Sequence, residues 1–379
     1  VNERVTGAAY AAGWKLVRVL PERPVRALFE GGAGWMAGRG GASVRRLAAN
    51  LRRVVGPEMS DADLADLTKR GLQSYARYWY EAFRMPEWSH AEIERRFVLE
   101  NVEELDRAVA AGRGVVVALP HAGNWDLAGA WATLHGVPVT TVAERLKPED
   151  LYQRFLSFRR ALGMEILPLT GASRPPLDVL TERVRAGRVA VLLSERDLSA
   201  RGIEVDFFGE RTKMPAGPAV LALRTGAPLF GLALWNDGPV TRARLIGPIE
   251  TGPGSAVVRG EAVTPGLPAP QAAAQADAEQ PAAAGAVATV AADEQPDATP
   301  TKVHANGGTS DGGDRSGGDA PHSVKIEDGH RDAARVAAVT QRVADALAEG
   351  IAEHPVDWHM LQPLWLADLP PRRRRRTAD

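Results

Sequence analysis

The chain has 379 residues, enough for one large α/β unit or two ordinary domains, and its 45% hydrophobic and 25% charged residues exclude disorder of the whole. A formal net charge of -1 argues against the strongly basic footprint of a nucleic-acid binder. Without cysteine there is no thiol nucleophile, disulfide or Cys-held metal, and neither a metal nor a resident cofactor is expected.

Residues 1–56 read as amphipathic helices broken near Pro21, Pro24 and the glycines from Gly31 to Gly41. Tyr10, Trp14, Val17 and Leu20 recur at helical spacing with Lys15 and Arg18 between them. Ten Lys and Arg up to Arg53 face only Glu3, Glu22 and Glu30 as acids. That mixture suits the anionic inner leaflet of a cell membrane, while packing of the stripe on the protein's own core is the alternative. No apolar run approaches the roughly 20 residues a membrane-spanning helix needs. The expectation is a peripheral protein on the cytoplasmic face of the cell membrane, touching the bilayer without crossing it.

An α/β core is predicted over 57–251. It starts with a helical stretch from Ser60, with an acid-rich cap at Asp61 and Asp63, carrying Tyr75, Trp79, Tyr80 and Phe83, a stripe of the kind that more often builds a core than binds a ligand. A helix over 102–111 stops at Gly112 and Gly114. Compact apolar runs then follow at 115–119, 137–142, 164–169 and 189–193, separated by helical segments at 127–134, 148–161 and 176–186. A helix over 220–225 and a strand over 229–235 come next. Repeated strand and helix units of this size predict an α/β fold with a central, mostly parallel sheet flanked by helices. Residues 252–328, dominated by Ala, Gly, Pro, Asp and Thr, bury too little apolar surface to offset the entropy of ordering and read as a long flexible insertion. Over 329–369, Val336, Val339, Val343, Leu347 and Ile351 mark an amphipathic helix, after which Trp358, Met360, Leu364 and Trp365 are expected to dock on the core. The basic tail, 370–379, reads equally as solvated or as drawn to anionic headgroups.

Chemistry concentrates after the run at 115–119. His121 lies just past a strand, Gly123 and Asn124 permit a tight turn, and a helix opens near Trp125 and Asp126. The spacing allows the imidazole and the Asp126 carboxylate to meet across that turn, as a general base and the group that fixes its tautomer. A buried structural histidine is the competing reading, and spacing alone is weak: His322 and Glu327 repeat it inside the insertion. Ser194, Glu195, Arg196 and Asp197 directly follow another apolar run, so at least one of these charges should face the crevice at the carboxyl ends of the strands. Arg145 follows a strand in the same way, and Arg154, Arg159 and Arg160 lie on a helix able to supply phosphate or oxyanion contacts.

Four stretches together resemble the bacterial lipid A lauroyl/myristoyl acyltransferase family, in its actinobacterial branch acting on phosphatidylinositol mannosides. They are NLRRVVG from Asn50, PHAGNWD from Pro120, VAERLKPEDLYQRFLSFRRALGMEILPL from Val142 and SERDLSARGIEVDFFGERTKMPAGPAVLALRTGAPL from Ser194. The resemblance implies that His121 and Asp126 are the pair of an HxxxxD motif and that Glu204, in GIEVDFFG, is a further active-site carboxylate. It places Arg196 and Asp197 in a family-like RDLS phrase and makes Arg159 an active-site arginine, and with Asn124, Arg145 and Arg160 these are the expected substrate contacts. The implied reaction moves a fatty acyl group, palmitoyl, from acyl-CoA to the 6-hydroxyl of a mannose on a mannosylated phosphatidylinositol. Acylation of a lipid A precursor or a lysophospholipid, and a non-catalytic lipid-binding role, remain the other readings.

Overall fold

A computed structural model describes residues 13–144, 149–197, 202–252 and 322–369. Most of the expected insertion, the basic tail, Tyr10 and Arg145 lie outside the described residues.

Four helices open the described chain: α1 (13–19), α2 (Glu22–Arg39), α3 (Ala42–Val55) and α4 (Asp61–Arg84). The Ser60 side chain caps α4 by accepting from Asp63 N at 3.1 Å, so the cap is Ser60 and the acids Asp61 and Asp63 lie in the first turn. Both α2 and α3 pack on α4; of its aromatic stripe Tyr80 and Phe83 are buried and Trp79, half-buried, packs against the same core, whereas Tyr75 is half-buried. Along α1 the apolar residues divide. Trp14 and Val17 are buried, and the Trp14 indole donates to Phe83 O at 3.0 Å, whereas Leu16, Val19 and Leu20 stand exposed.

The alternating region follows: α5 (His90–Arg96), β1 (Phe97–Glu100), α6 (Val102–Ala110), β2 (Val115–Leu119), α7 (Trp125–Leu134), β3 (Val139–Ala143), α8 (Glu149–Ala161), β4 (Glu165–Pro168), α9 (Pro176–Arg185) and β5 (Val189–Leu193). A hairpin, β6 (Ile203–Phe207) and β7 (Glu210–Met214), precedes α10 (Gly217–Thr225), β8 (Leu229–Asp237) and β9 (Val240–Ile249). The last helix is α11 (His322–Glu353), so it starts inside the stretch expected to be insertion.

Seven strands form one sheet in the order β1-β9-β8-β2-β5-β3-β4. The run from β8 to β4 is parallel throughout, and β9 joins β8 antiparallel, which turns β1, parallel to β9, against the other five. All five residues of β2 are buried, because it lies mid-sheet with both faces covered. Strands β1, β6, β7 and β9 had no counterpart in the apolar runs. Only Phe97 is buried in β1, at the sheet edge, and the residues of β6, β7 and β9 largely alternate buried with half-buried or exposed, so none forms a continuous apolar run.

The C-terminal segment docks as expected, with Trp358, Met360, Leu364 and Trp365 all buried. Polar groups fix its path: Asn50 Nδ2 donates to Met360 O at 2.7 Å, Thr212 Oγ1 to Leu364 O at 2.7 Å and the Trp365 indole to Phe207 O at 3.0 Å.

Candidate active site

Parallel pairing sets the geometry of the site. In the register of β2 with β5, Leu119 is opposite Leu193, so the residues two beyond each, His121 and Glu195, leave the sheet at the same height. His121 Nδ1 lies 2.7 Å from Glu195 Oε1, and the same oxygen accepts from His121 N at 2.6 Å. Burial pushes the Glu195 carboxyl up, but the facing His121 ring and the His121 peptide N–H outweigh it and hold the group below the ordinary carboxylate value. An ionised carboxylate only accepts hydrogen bonds, so Nδ1 carries the proton and Nε2 is the ring nitrogen left to receive one. The imidazole is part-exposed, with 29% of its side chain accessible, against 0% for Glu195.

This arrangement corrects the expectation that Asp126 meets His121 across the turn. Asp126 opens α7 and points the other way: its Oδ1 accepts from Arg159 Nε at 2.6 Å, and its Oδ2 from Arg159 Nη2 at 3.2 Å and Tyr78 OH at 3.0 Å. The short turn carries His121 toward β5, while the helix it starts carries Asp126 toward α4 and α8. The three-way contact is buried. Burial would strip the proton from Arg159, and the Asp126 charge more than offsets this and raises the guanidinium above its ordinary value. Tyr78, raised by burial and then by Asp126, stays a neutral donor.

Glu204 is not brought to His121 either. It is exposed on β6, within 3.4 Å of Arg211 and 3.6 Å of Lys213. Asn124 uses its amide internally, accepting from Leu127 N at 3.0 Å as the cap of α7 and donating to Glu81 Oε2 at 2.8 Å. Arg159 is committed to Asp126, Arg160 is exposed on α8, and Asp197 Oδ2 accepts from Gly202 N at 2.7 Å. Arg196 follows Glu195 directly. Its Nη2 is 3.3 Å from Glu144 Oε2, and its buried Nε has no hydrogen-bond partner among the described residues.

Sequence reasoning placed Glu195 in the crevice group but missed its pairing. The signal was present: two five-residue apolar runs each put a polar residue at the second position past their end. Adjacent parallel strands in register bring such positions together.

Around His121 the walls are aromatic. Trp125 meets the imidazole edge-on with centroids 5.6 Å apart and stacks on Tyr78 at 4.0 Å. Trp125 also borders an apolar cavity of about 60 Å³ between the sheet and α6–α7, lined further by Phe97, Val117, Ala128, Ala132 and Val191. The turn itself needs glycine: Gly123 has φ +53°, and a Cβ there would stand 3.1 Å from Leu234 Cβ and 3.2 Å from Leu234 C. The site thus joins a carboxylate-steered imidazole and, through Trp125, an apolar cleft. Such a set can take a proton from a hydroxyl beside an acyl chain. Among the described residues no cluster of His, Cys, Asp or Glu suited to a metal occurs.

Comparison with known proteins identifies the family. Residues 3–245 match the family model described as bacterial lipid A biosynthesis acyltransferase. A phosphatidylinositol mannoside acyltransferase of Mycolicibacterium smegmatis (strain ATCC 700084 / mc(2)155) is 40% identical over 373 residues, covering 98% of this chain and 95% of that protein. Proteins of the same description from Mycobacterium tuberculosis, strains CDC 1551 / Oshkosh and ATCC 25618 / H37Rv, are each 41% identical over 377 residues, covering 99% of this chain and 93% of theirs.

Proposed function

The chain belongs to the bacterial lipid A biosynthesis acyltransferase family, and on that premise we propose that it acylates a mannosylated phosphatidylinositol, moving palmitoyl from acyl-CoA to the 6-hydroxyl of a mannose. The observation that carries the reading is the 2.7 Å contact between His121 Nδ1 and the fully buried Glu195, which dedicates Nε2 to substrate.

In this mechanism the mannose hydroxyl gives its proton to His121 Nε2 as its oxygen attacks the thioester carbonyl. The Glu195 carboxylate stabilises the imidazolium that forms. The new carbon–oxygen bond leaves a negative charge on the former carbonyl oxygen, for which the guanidinium of Arg196, the residue after Glu195, is the candidate donor. Collapse breaks the carbon–sulfur bond, and the CoA thiolate takes the proton back from the imidazolium. A thiolate is a good leaving group and needs little protonic help. The apolar cavity beside Trp125 receives the acyl chain, and its walls must part for a long one because the space is small as it stands. Asp126, in this reading, sets the wall: through Tyr78 and Arg159 it fixes the position of Trp125 between α4, α7 and α8.

The lipid substrates lie in a bilayer, so the protein must meet one. Among the described residues no helix is long and apolar enough to cross a membrane. Leu16, Val19, Leu20, Leu28 and Trp35 stand exposed on α1, on α2 and between them, and Arg39 lies over the Trp35 ring at 3.8 Å. Apolar side chains beside cations suit peripheral docking on the anionic cytoplasmic leaflet.

The test is incubation with several acyl-CoAs and with mono- and dimannosylated phosphatidylinositols, followed by product mass and linkage analysis. The expected product is a 6-O-acyl mannose, absent with His121→Ala. Normal turnover by that variant, or acylation only of other lipids, overturns the proposal.

A further inference from the structure

We propose that Asp357 is a positioning residue for acyl transfer, acting as the clamp that holds the C-terminal strap 357–359 against the loop carrying His121. The inference rests on the reading of His121 as the base.

The loop's position depends on the strap. His359 N donates to His121 O at 2.7 Å, Gly123 N donates to Asp357 O at 2.9 Å, and Ala122 and Trp358 form an antiparallel bridge between these two bonds. With Glu195 gripping His121 N, the peptide groups on both sides of the imidazole are fixed, from β5 on one side and from the strap on the other. The strap contacts are all backbone to backbone. They place the loop only as well as the strap itself is placed.

The strap is placed by one buried carboxylate. Asp357 is 3% exposed, and its Oδ1 accepts from Ser74 Oγ of α4 at 2.5 Å and from Asn236 Nδ2 of β8 at 2.6 Å, while its Oδ2 accepts from Asn236 N at 3.0 Å. Three donors from two elements far apart in sequence define where the carboxylate sits. They thereby define where its own carbonyl, which holds Gly123, sits too. The neighbouring His359 completes the cluster. Ser74 spends its one proton on Asp357, so the 2.9 Å contact between Ser74 Oγ and His359 Nε2 must be a donation from the ring. Burial, and then His121, hold this imidazole down to about 3, so it is neutral with its proton on Nε2. A neutral, oriented ring can pack against Tyr75 and Trp125, at 5.3 and 6.2 Å between centroids, without placing a second positive charge beside His121.

A displaced loop costs rate more than affinity, because the groups lining the apolar cavity belong to the sheet and to α6 and α7 rather than to the strap. Removing the clamp with Asp357→Ala should lower kcat by about 10²-fold, the scale of an ångström-sized misplacement of a reacting group. KM for palmitoyl-CoA should stay within about twofold. Asp357→Asn keeps the shape and can be satisfied if the Asn236 amide turns over and the His359 proton moves to Nδ1, so it should recover most of the lost kcat. Ser74→Ala removes one donor of three and is the milder variant should Asp357→Ala not fold; it should lose about tenfold in kcat.

Rates are read per folded molecule in the full chain, beside His121→Ala. An inactive His121→Ala together with variants that lose only melting temperature, kcat unchanged, overturns the positioning role and leaves the general-base reading intact. A raised KM at constant kcat also overturns it, since the cluster would then belong to substrate binding. A fully active His121→Ala sinks the reading beneath it instead.

Discussion

Replacing Glu195 with glutamine separates charge from shape at the site. The amide oxygen can still accept from His121 N and from Nδ1, so the ring keeps its orientation, but the negative charge facing the imidazolium is gone. At 2.7 Å two full unit charges attract by roughly 6 kcal/mol at an effective dielectric near 20. With about half the charge developed in the transition state, the expected loss is ~3 kcal/mol, or about 10²-fold in kcat, with ~10⁴-fold as the ceiling for a histidine deprived of its carboxylate. KM for acyl-CoA should hardly change. The same substitution carries a pH signature in stability. Because the folded-state value of Glu195 is lowered from the ordinary 4.5, its contribution is fully present above that pH and lost as pH falls through the folded value. The melting-temperature gap between parent and Glu195→Gln should therefore be widest above pH 4.5 and close at more acid pH. The assays are steady-state acyl-CoA consumption with a mannosylated phosphatidylinositol acceptor, and thermal melts from pH 3 to 8. A correctly folded Glu195→Gln within about threefold of the parent rate would refute the carboxylate's part in the chemistry.

Asp126→Ala leaves the Arg159 guanidinium uncompensated and should destabilise the protein by about 3 kcal/mol in urea unfolding; a change below ~0.5 kcal/mol would contradict a buried pair. Filling the apolar cavity with Ala132→Phe should depress turnover of palmitoyl-CoA by at least about tenfold relative to a short-chain acyl-CoA. Equal effects on both donors would place the acyl chain elsewhere. Changing Leu16, Val19 and Trp35 together to glutamate should lower partitioning onto anionic vesicles by at least ~10²-fold, given about 1.5–3 kcal/mol for each apolar side chain buried. Unaltered flotation with vesicles would show that this face does not meet the bilayer.

Much of the architecture was legible in the residues. Five short apolar runs alternating with helical stretches are what a mostly parallel sheet covered on both faces requires, and they became β2, β3, β4, β5 and β8. His121 was legible because strand end, glycine turn and helix start are local features. Strands β1 and β9 and the β6–β7 hairpin were not, since half-exposed strands carry no continuous apolar signal. The carboxylate facing the imidazole was not legible for a different reason. Five residues from His121, Asp126 looks close along the chain, yet a helix that begins between them turns it toward Tyr78 and Arg159. Glu195 is 74 residues away and arrives only because β2 and β5 pair in register. Likewise, nothing around Ser74, Asn236 or Asp357 marks them as one cluster until α4, β8 and the C-terminal strap pack together. Sequence by itself determined the elements whose cause is local: periodicity, caps, turns and the residue types able to move a proton. Tertiary structure alone decided which of those residues touch, because strand order, register and helix direction are properties of the assembled sheet and not of any segment within it.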